Sequence, residues 1–452
     1  MTNAGQLRPR SSSGLRAGLR SLTTVSQAAG AFCRTRWGYR FGSRARFLTW
    51  QHQKLRRMLA ARAGGIELAK LPIIDKSVML ANFERYNSLG IELNQALTVA
   101  TAAERSRDFS AEIDGLTVGL SSGTSGQRGV FLISRNERAI WAGTILARLL
   151  SKKALRQVIL PWARPLQIAF VLRADSKLYQ QVRSQRVNFE FYDLLEPLGK
   201  NIAALVEQQP DLLVGPASVL GEFAQRKLRG ELQISPTQVI SVAEELYPGD
   251  AARIRLAFGI DAAQVYQATE GLLGFSCKYG SLHLNEQHVY VEFDWLDDAR
   301  TRFQPIITDF SRSTQLMLRY RLDDVLHLAT EPCRCHNLGL RLAGVDGRAD
   351  AVLRFGDKQL FPDVLRCSMA IVSEHFRDWS VEQRLEDQED SCLVVRLREP
   401  DVHATDVVQA EIDVLLASLT IPRQKLQFAP WQEPAPGAKL RRIRRTDLAA
   451  RL

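Results

Sequence analysis

The amino-acid sequence predicts an α/β protein in which a large N-terminal domain with mostly parallel sheets is joined by a hinge to a smaller α+β C-terminal domain. Three observations support this prediction. The chain has 452 residues, which is more than a single domain of about 100 to 200 residues holds. From Leu116 onward, short β-rich runs alternate with amphipathic runs. After Gly347 this alternation gives way to a different pattern.

The alternating region contains four pairs of a predicted strand and a predicted helix. They are residues 166–172 with the run up to 187, 189–193 with 202–209, 212–214 with 217–227, and 239–243 with 251–258. Strands and helices that alternate along a chain form βαβ units, whose strands pair in parallel. We assign these units to a large domain over residues 43–348.

The sequence after Gly347 predicts a small α+β domain over residues 349–452. Its elements are a hairpin over 351–361 that turns at Gly356 and Asp357, a helix that begins near Pro362, strands over 381–386 and 392–397, and a helix over 406–419. Pro362 suits the first turn of a helix, because a backbone N–H has no partner within the helix there.

The N-terminal segment carries the positive charge of the chain. The net charge is +11, yet thirteen Lys and Arg residues precede Glu67, the first acidic residue. The remainder is therefore close to neutral, and we expect no specific nucleic-acid binding. Residues 1–42 are rich in Arg and Ser, which indicates a disordered basic arm, a transit-like peptide or an over-long start. Residues 43–62 have helical spacing and predict a helix that ends at Gly64.

Composition also bears on the compartment of the protein. No apolar run approaches the about 18 residues that span a bilayer, and no signal peptide is apparent. We therefore expect a cytoplasmic protein without a transmembrane segment. Six cysteines in 452 residues are too sparse for a disulfide framework, which predicts reduced thiols.

A loop rich in Gly, Ser and Thr lies between two predicted strands at residues 121–129. Such a loop can turn several backbone N–H groups and hydroxyls toward one point, which suits a polyphosphate. The candidate residues are Ser122, Gly123, Thr124, Ser125, Gly126, Arg128 and Gly129. A mobile hairpin loop is the structural alternative. Residues 119–123 also fit the nucleophile elbow of α/β-hydrolases, but that elbow needs a helix after its serine, and a strand is predicted here.

A second group of candidate residues follows a predicted strand at 263–265. Ligands of open α/β sheets bind at the carboxyl ends of strands. There the ring of Tyr266 can cover a base, the hydroxyl of Thr269 can meet a phosphate, and the carboxylate of Glu270 can hold magnesium through oxygen. The alternative is that the Thr-Glu pair only caps a helix.

The order and spacing of four short runs resemble the adenylate-forming superfamily of acyl- and aryl-CoA ligases and peptide-synthetase adenylation domains. The runs are residues 121–129, 266–271, 319–324 and 347–350. Within that superfamily the sequence is most similar to the phenylacetate-CoA ligase and coenzyme-F synthetase branch. The segments that resemble this branch in particular are residues 71–76, 209–215 and 281–284. The resemblance covers about residues 44–445.

The resemblance implies an ATP site. Residues 122–129 would hold the β- and γ-phosphates, Tyr266 would lie against adenine beside Glu244, and Asp324 would bind the ribose hydroxyls. Arg128 stands where many relatives have lysine and keeps a positive charge toward the phosphates. We therefore expect ATP to bind as in the family.

The resemblance also implies catalytic roles. Thr269 and Glu270 would serve the phosphates and Mg²⁺, Lys439 would be the catalytic lysine, and Asp350 would be the hinge about which the small domain turns. The expected reaction is the activation of a carboxylic acid, possibly aromatic, as its acyl-AMP. Transfer to the thiol of CoA or of a carrier protein would follow. The alternative is AMP transfer to a phenolic hydroxyl without thioester formation, as in coenzyme-F synthetase.

Four residues form a candidate zinc site: Cys277, His283, Cys333 and Cys335. Three sulfurs and one imidazole are a common tetrahedral set for structural zinc. The branch that the sequence resembles often has a Cys-x-Cys at the place of Cys333 and Cys335. His336 is an alternative ligand to His283. The alternative is that these residues pack only as reduced cysteines and a histidine.

Overall fold

A computed structural model describes residues 12–108, 111–120, 128–172, 184–385, 391–433 and 440–447. Its helices are α1 (Ser12–Cys33), α2 (Arg44–Arg62), α3 (Lys76–Ala81), α4 (Leu93–Ser106), α5 (Arg135–Leu149), α6 (Lys152–Ile159), α7 (Leu198–Gln208), α8 (Ala217–Leu228), α9 (Pro248–Phe258), α10 (Pro362–Ile371) and α11 (Ala404–Ser418). None of the helices in these ranges has the length and apolar character needed to cross a membrane.

Most strands of the large domain alternate with these helices or form hairpins between them. They are β1 (Glu112–Ile113), β2 (Leu116–Leu120), β3 (Val130–Ile133), β4 (Leu166–Leu172), β5 (Val187–Asp193), β6 (Leu212–Gly215), β7 (Gln238–Ser241), β8 (Ala262–Ala268), β9 (Gly271–Ser276), β10 (Leu282–Leu284), β11 (Val289–Trp295), β12 (Arg302–Asp309), β13 (Tyr320–Arg321), β14 (Asp324–Leu328) and β15 (Arg341–Arg348). The strands of the small domain are β16 (Leu353–Phe355), β17 (Lys358–Leu360), β18 (Asp378–Leu385), β19 (Ser391–Arg398), β20 (Lys425–Ala429) and β21 (Ile443–Asp447).

One large mixed sheet forms the frame of the large domain, and the predicted α/β class is confirmed. Its strand order is β11-β12-β14-β15-β10-β9-β8-β7-β6-β4-β5, with β13 paired to β12. The strands from β8 to β5 pair in parallel, as the alternating pattern predicts. The strands from β8 to β11 pair antiparallel, so the sheet is less parallel than expected. The reason is that short connections, such as Thr269–Glu270 between β8 and β9, leave no room for the crossover that a parallel pair requires.

Helices cover both faces of the parallel strands. On one face, Phe223 of α8 and Ile254 of α9 pack with Leu213 of β6. On the other face, Ile145 of α5 packs with Ile168 of β4. Burial on both faces explains why these strands appear in the sequence as continuous apolar runs instead of alternating ones.

The small domain has its own sheet and core. Its four strands lie in the order β20-β19-β18-β21, and β16 and β17 form the predicted hairpin. Pro362 occupies the first turn of α10, as expected. Buried Met369 of α10 and Ile412 of α11 pack against Leu393 and Val395 of β19. The large sheet ends at Arg348, and the first strand of the small domain begins at Leu353.

The structure differs from the expected disordered arm over residues 1–42, because α1 packs on α5. The backbones approach so closely that a Cβ at Gly143 would lie 2.1 Å from the carbonyl oxygen of Ala28. Arg36 then donates to the carbonyl oxygens of Ala147 (2.8 Å) and Leu150 (3.0 Å) at the end of α5. Small residues let α1 approach α5 closely, and Arg36 bonds the carbonyl oxygens at the C-terminal end of α5. These contacts order a segment whose composition indicates disorder. Residues 1–11 lie outside the described residues.

The two domains meet through ion pairs. Arg302 of β12 donates to Asp346 of the large domain (2.7 Å) and to Asp363 of α10 (2.9 Å). Arg366 of α10 pairs with Glu245 of the large domain at 2.8 Å. Burial raises the pKa of Glu245 to about 7, and the charge of Arg366 opposes that shift. An interface made of charged groups is typical of domains that move relative to each other.

Candidate nucleotide site and metal site

A cleft of about 2300 Å³ lies between the large and small domains. Its walls include the carboxyl end of β8, the start of β14 and residues 440–443 of the small domain. The predicted site residues that line it are Arg128, Glu244, Tyr266, Thr269, Glu270 and Asp324. These positions are far apart in the sequence, and the fold brings them to one place at the domain junction.

Tyr266 and Asp324 form a hydrogen-bonded pair in this cleft. The hydroxyl of Tyr266 donates to Asp324 Oδ2 at 2.7 Å. Burial, followed by the charge of Asp324, raises the pKa of Tyr266 well above its usual value, so the phenol keeps its proton. Burial also raises the pKa of Asp324, while the bond from Tyr266 and the charge of Arg348 lower it. The pair holds an aromatic ring beside a carboxylate in the wall of the cleft.

Thr269 and Glu270 lie in the turn between β8 and β9. Thr269 Oγ1 donates to Glu270 Oε2 at 2.8 Å. A small cavity of about 20 Å³ is lined by both residues and by Lys76, Gly129 and Tyr320. Gly129 thus places the end of the Gly-rich loop beside the carboxylate of Glu270. Thr269 and Glu270 offer oxygen donors, the type of ligand that Mg²⁺ prefers.

Glu270 lies among titratable side chains and beside a tightly packed glycine. Its carboxylate raises the pKa of Tyr320, although burial is the larger cause of that shift. Burial lowers the pKa of Lys76, and the charge of Glu270 opposes that shift. The next residue is Gly271, where a Cβ would lie 2.6 Å from Asp309 Oδ2. Only glycine fits at this position, because Asp309 is buried and accepts bonds from its own loop.

Arg128 is paired with Glu104 in the cleft wall. Its Nη1 donates to Glu104 Oε2 at 2.7 Å, and this bond lowers the pKa of the carboxyl. The strands β2 and β3 pair antiparallel up to Leu120 and Val130. In the part of this connection that the structure describes, Arg128 and Gly129 lead directly into β3, which argues against the hydrolase elbow. The phosphate-binding candidates Ser122, Gly123, Thr124, Ser125 and Gly126 lie outside the described residues and stay predictions.

Glu244 follows β7 and lines the cleft. It accepts from the backbone N (3.1 Å) and Oγ (2.7 Å) of Ser218 at the start of α8. The preceding residue, Ala243, has a φ of +64°, a conformation that residues with a side chain rarely adopt. This turn lets residues 243 and 244 line the cleft beside Tyr266.

Asp350 lies where the chain passes from the large sheet to the small domain. It belongs to a short 3₁₀ turn, Ala349–Ala351, directly after β15. Its Oδ1 accepts from Arg348 Nε at 3.3 Å, and its Oδ2 accepts from Arg441 Nη2 at 2.7 Å. The residue thereby bonds the end of the large sheet to the C-terminal segment of the small domain. Lys439 lies outside the described residues, and its role stays a prediction.

The fold brings Cys277, His283, Cys333 and Cys335 together, and their ligand atoms all lie within 4.8 Å of one another. Cys277 follows β9 and His283 lies in β10, while the two other cysteines belong to the loop between β14 and β15. The Sγ atoms of Cys277 and Cys333 are 3.6 Å apart, and Cys335 Sγ lies 3.3 Å from His283 Nε2. In tetrahedral zinc sites such ligand atoms are separated by about 3.5 to 3.8 Å.

The surroundings of His283 also fit a metal ligand. Its ring is buried, and Nδ1 lies 3.0 Å from the carbonyl oxygen of Gly339. A donated bond at Nδ1 leaves Nε2 with its lone pair toward the three sulfurs, as in known zinc-binding histidines. Within the described residues the group contains His283 and not the alternative His336. The residues present therefore fit zinc in number, type and spacing.

Sequence reasoning did not single out three residues that surround the nucleotide site. Lys76 and Tyr320 flank Glu270, and Arg348 bonds Asp323 at 2.6 Å beside Asp324. All three belong to runs that the family resemblance includes. Their positions became visible only when the fold placed them next to the carboxylates, because a lone Lys, Tyr or Arg at the end of a helix or strand has no distinguishing pattern.

Comparisons with known proteins agree with this architecture. No protein-family model and no curated protein matches the chain. Among solved structures, a 2-hydroxyisobutyryl-CoA ligase in the postadenylation state is similar, with 16% identity, a TM-score of 0.58, and coverage of 95% of this chain and 90% of that chain. The acyl acid amido synthetase GH3.15 has 13% identity and a TM-score of 0.54, covering 96% of this chain and 94% of that chain.

A third similar structure is the same CoA ligase in an open conformation with its acyl-AMP and CoA. It has 14% identity and a TM-score of 0.51, and covers 98% of this chain and 96% of that chain. Likeness at such low identity establishes architecture and not chemistry. The chain has the fold of the adenylate-forming enzymes, over nearly its whole length.

Proposed function

We propose that the protein is an AMP-forming ligase that uses ATP to activate a carboxylic acid as its acyl-adenylate. The observation that carries the proposal is the bonded pair of Tyr266 and Asp324, which lies beside Thr269 and Glu270 in the cleft between the domains. One site thus contains an aromatic ring for the base, a carboxylate that can accept from the ribose hydroxyls, and a second carboxylate that can bind a metal. The fold shared with a CoA ligase bound to an acyl-AMP supports the same reading.

The first half-reaction requires positioning and charge neutralisation more than covalent help. A carboxylate oxygen of the acid attacks the α-phosphorus of ATP, and the bond to the pyrophosphate oxygen breaks. Glu270 and Thr269 would hold Mg²⁺, which neutralises phosphate charge when bound. Asp324 orients the ribose, Tyr266 orients the base, and Arg128 and Lys439 supply positive charge toward the phosphates.

In the second half-reaction we propose a thiol acceptor. A thiolate attacks the carbonyl carbon of the acyl-adenylate, and AMP leaves with the bonding electron pair. The similar ligase in complex with an acyl-AMP and CoA supports CoA as the acceptor. A carrier-protein thiol would undergo the same chemistry. A test is to incubate the protein with ATP, Mg²⁺, an acid panel and CoA, and to measure AMP and thioester together. AMP transfer to a phenol without acid dependence would instead indicate the coenzyme-F synthetase-like reaction.

We predict that Asp350→Pro slows one half-reaction at least about tenfold more than the other, because proline fixes φ at the junction where the chain must rotate between them. The half-reactions are followed separately, by pyrophosphate exchange and by thioester formation from a synthetic acyl-adenylate. Asp350→Ala is the matched control, since it loses the bond to Arg441 but keeps a free φ. Equal slowing of both half-reactions by Asp350→Pro would argue against a hinge at this residue.

We also propose that Cys277, His283, Cys333 and Cys335 bind one structural zinc ion. The metal would connect the β9–β10 hairpin to the loop before β15, and so support the sheet that carries Glu270 and Asp324. We predict about one zinc per chain in protein purified without a His-tag, and we predict that Cys333→Ser lowers both the zinc content and the melting temperature. Cys33→Ser, at an exposed cysteine outside the group, should change neither. Zinc-free protein whose melting temperature is unaffected by a chelator would contradict the proposal.

A further inference from the structure

The first turn of α10 packs directly on the end of β15, where the chain leaves the large sheet. Gly347 of β15 has a φ of +124°, and a Cβ at this position would lie 3.2 Å from Cβ of Pro362. A side chain at residue 347 would therefore hold α10 away from the sheet. Because the two backbones approach so closely, ionisable side chains of the two domains face each other across short distances around this contact.

Six ionisable side chains surround this contact, and we call them the interdomain cluster. The large domain contributes Arg302 of β12, His327 of β14, Asp346 of β15 and Glu245, and α10 contributes Asp363 and Arg366. All except Arg302 line the cleft, so the cluster can exchange protons with solvent. The side chain of Asp346 is only 6% exposed, and its charge is therefore poorly screened by water.

The interdomain cluster contains three carboxylates but only two guanidinium groups. Arg302 is shared, since it donates to both Asp346 and Asp363. Arg366 pairs with Glu245 and also donates to the carbonyl oxygen of Asp346 at 2.8 Å. Among the described residues, Asp363 Oδ1 is buried and has no hydrogen-bond partner. With all three carboxylates ionised and a neutral histidine, the cluster carries one uncompensated negative charge.

The charged groups next to the interdomain cluster do not supply the missing positive charge. The guanidinium of Arg442 lies 5.8 Å from the ring centroid of Tyr247, but it is paired with Asp378 at 2.9 Å. Burial raises the pKa of Tyr247 to about 12, so its phenol is neutral. Glu244 adds a further negative charge on this side of the cluster. A proton from solvent can neutralise the excess charge.

Docking of α10 on β15 increases the affinity of the interdomain cluster for a proton. A carboxylate oxygen of Asp346 lies within 4.8 Å of one of Asp363. Burial, followed by the charge of Asp363, raises the pKa of Asp346, while the bond from Arg302 opposes that shift. Burial raises the pKa of Glu245 to about 7, and Arg366 opposes that shift. When α10 moves away, Asp363 leaves with it and Glu245 regains contact with water, so the carboxyl groups return toward their ordinary pKa values.

We propose that the interdomain cluster is a proton-operated latch, in which docking of α10 takes up one proton from solvent and release of that proton lets the small domain leave. The proton binds to one of the three carboxylates or to His327, whose Nδ1 lies 3.6 Å from Asp346 Oδ2, and either position removes the uncompensated charge. The latch goes beyond the proposed function, because it depends on neither the acid nor the acceptor.

The direction of the pH dependence follows from the docked state. Docking raises the pKa of the carboxyl groups, so the docked state binds the proton more tightly than the undocked state does. Docking is therefore favoured as the pH falls, and this contribution is lost as the pH rises through about 7, the pKa of Glu245.

The test is a fluorescence energy-transfer titration of the full chain from about pH 8 to about pH 5, without ATP or acid. The two dyes are attached through non-natural amino acids in place of Leu228 of α8 and Val414 of α11, which are both exposed. The ratio of docked to undocked protein should rise about tenfold for each unit of pH between about 7 and about 5, as expected for the uptake of one proton. A ratio that stays constant, or that rises with pH, would overturn the proposal.

Asp363→Asn tests the role of the uncompensated charge. Asparagine keeps the size of the side chain and an oxygen that accepts from Arg302, but it removes one carboxylate, so the docked cluster is neutral without a proton. The ratio should then change by less than about twofold per pH unit. Asp357→Asn makes the same charge change at an exposed position between β16 and β17, and should keep the tenfold slope.

A slope in Asp363→Asn as steep as that of the unmodified protein contradicts the latch. If that variant has a lowered melting temperature, Glu245→Gln decides by the same criterion, because it removes another of the three carboxylates. The titration contains no substrate, so its outcome is independent of the adenylating function. A protein that shows the predicted slope but no pyrophosphate exchange keeps the latch and contradicts only that function.

Discussion

Glu270→Gln is expected to form the acyl-adenylate at least about a hundredfold more slowly than the unmodified protein. Glutamine keeps the size of the side chain and one oxygen acceptor, but it removes the negative charge that would hold Mg²⁺ beside the phosphates. Thr269 donates a hydrogen bond to that carboxylate, and Gly129, at the end of the predicted phosphate loop, lines the same small cavity. Acid-dependent pyrophosphate exchange, measured over a series of Mg²⁺ concentrations, should show both a lower rate and a higher Mg²⁺ requirement.

Glu196→Gln is the control for this prediction. Glu196 is an exposed carboxylate that pairs with Lys200 on the surface, so its loss should leave the Mg²⁺ dependence unchanged. If Glu270→Gln had the rate and the Mg²⁺ dependence of the unmodified protein, the carboxylate would not be a metal ligand. Tyr320 and Lys76 would then only support the local structure around Glu270.

Lys439→Ala is expected to lower the rate of adenylate formation by about a hundredfold or more, with ATP binding changed only a few-fold. The reason is that a lysine charge near the α-phosphate acts mainly on the transition state, in which negative charge moves to the leaving pyrophosphate. Leu440 and Arg441, which directly follow it, line the cleft. Single-turnover formation of the acyl-adenylate measures the rate, and calorimetry measures the affinity for ATP.

Thioester formation from a synthetic acyl-adenylate should survive in Lys439→Ala, because pyrophosphate has already left. Lys425→Ala is the matched control, since Lys425 is an exposed lysine of β20 in the same small domain. Near-normal adenylate formation in Lys439→Ala would remove this residue from the mechanism.

Local patterns in the sequence were sufficient for much of the fold. Apolar runs of strand length followed by amphipathic runs gave β4 to β8 and the helices α7 to α9, and the Gly356-Asp357 turn gave the hairpin of the small domain. The helix predicted between β4 and β5 lies mostly outside the described residues, and its predicted end at Val187 belongs to β5. The candidate zinc ligands could also be found, because cysteine and histidine are rare and Cys333 and Cys335 are closely spaced. That these two cysteines lie next to Cys277 and His283 depends on the tertiary structure. The sequence suggested this grouping only through the family resemblance.

Other features depend on contacts between distant segments and left no local pattern. The arginine- and serine-rich α1 resembles a disordered arm, yet Ala28 and Arg36 order it against α5. Removal of residues 1–42 would therefore disturb the packing of α5.

The measurement that tests the central claim most directly is ATP–pyrophosphate exchange with purified protein and Mg²⁺. If the site made by Tyr266, Asp324, Thr269 and Glu270 forms an acyl-adenylate, labelled pyrophosphate will enter ATP only when a suitable acid is present. The account predicts acid-dependent exchange that Glu270→Gln and Lys439→Ala both reduce by about a hundredfold or more. Absence of exchange with every aliphatic and aromatic acid of the panel, from a protein that binds ATP, would contradict it.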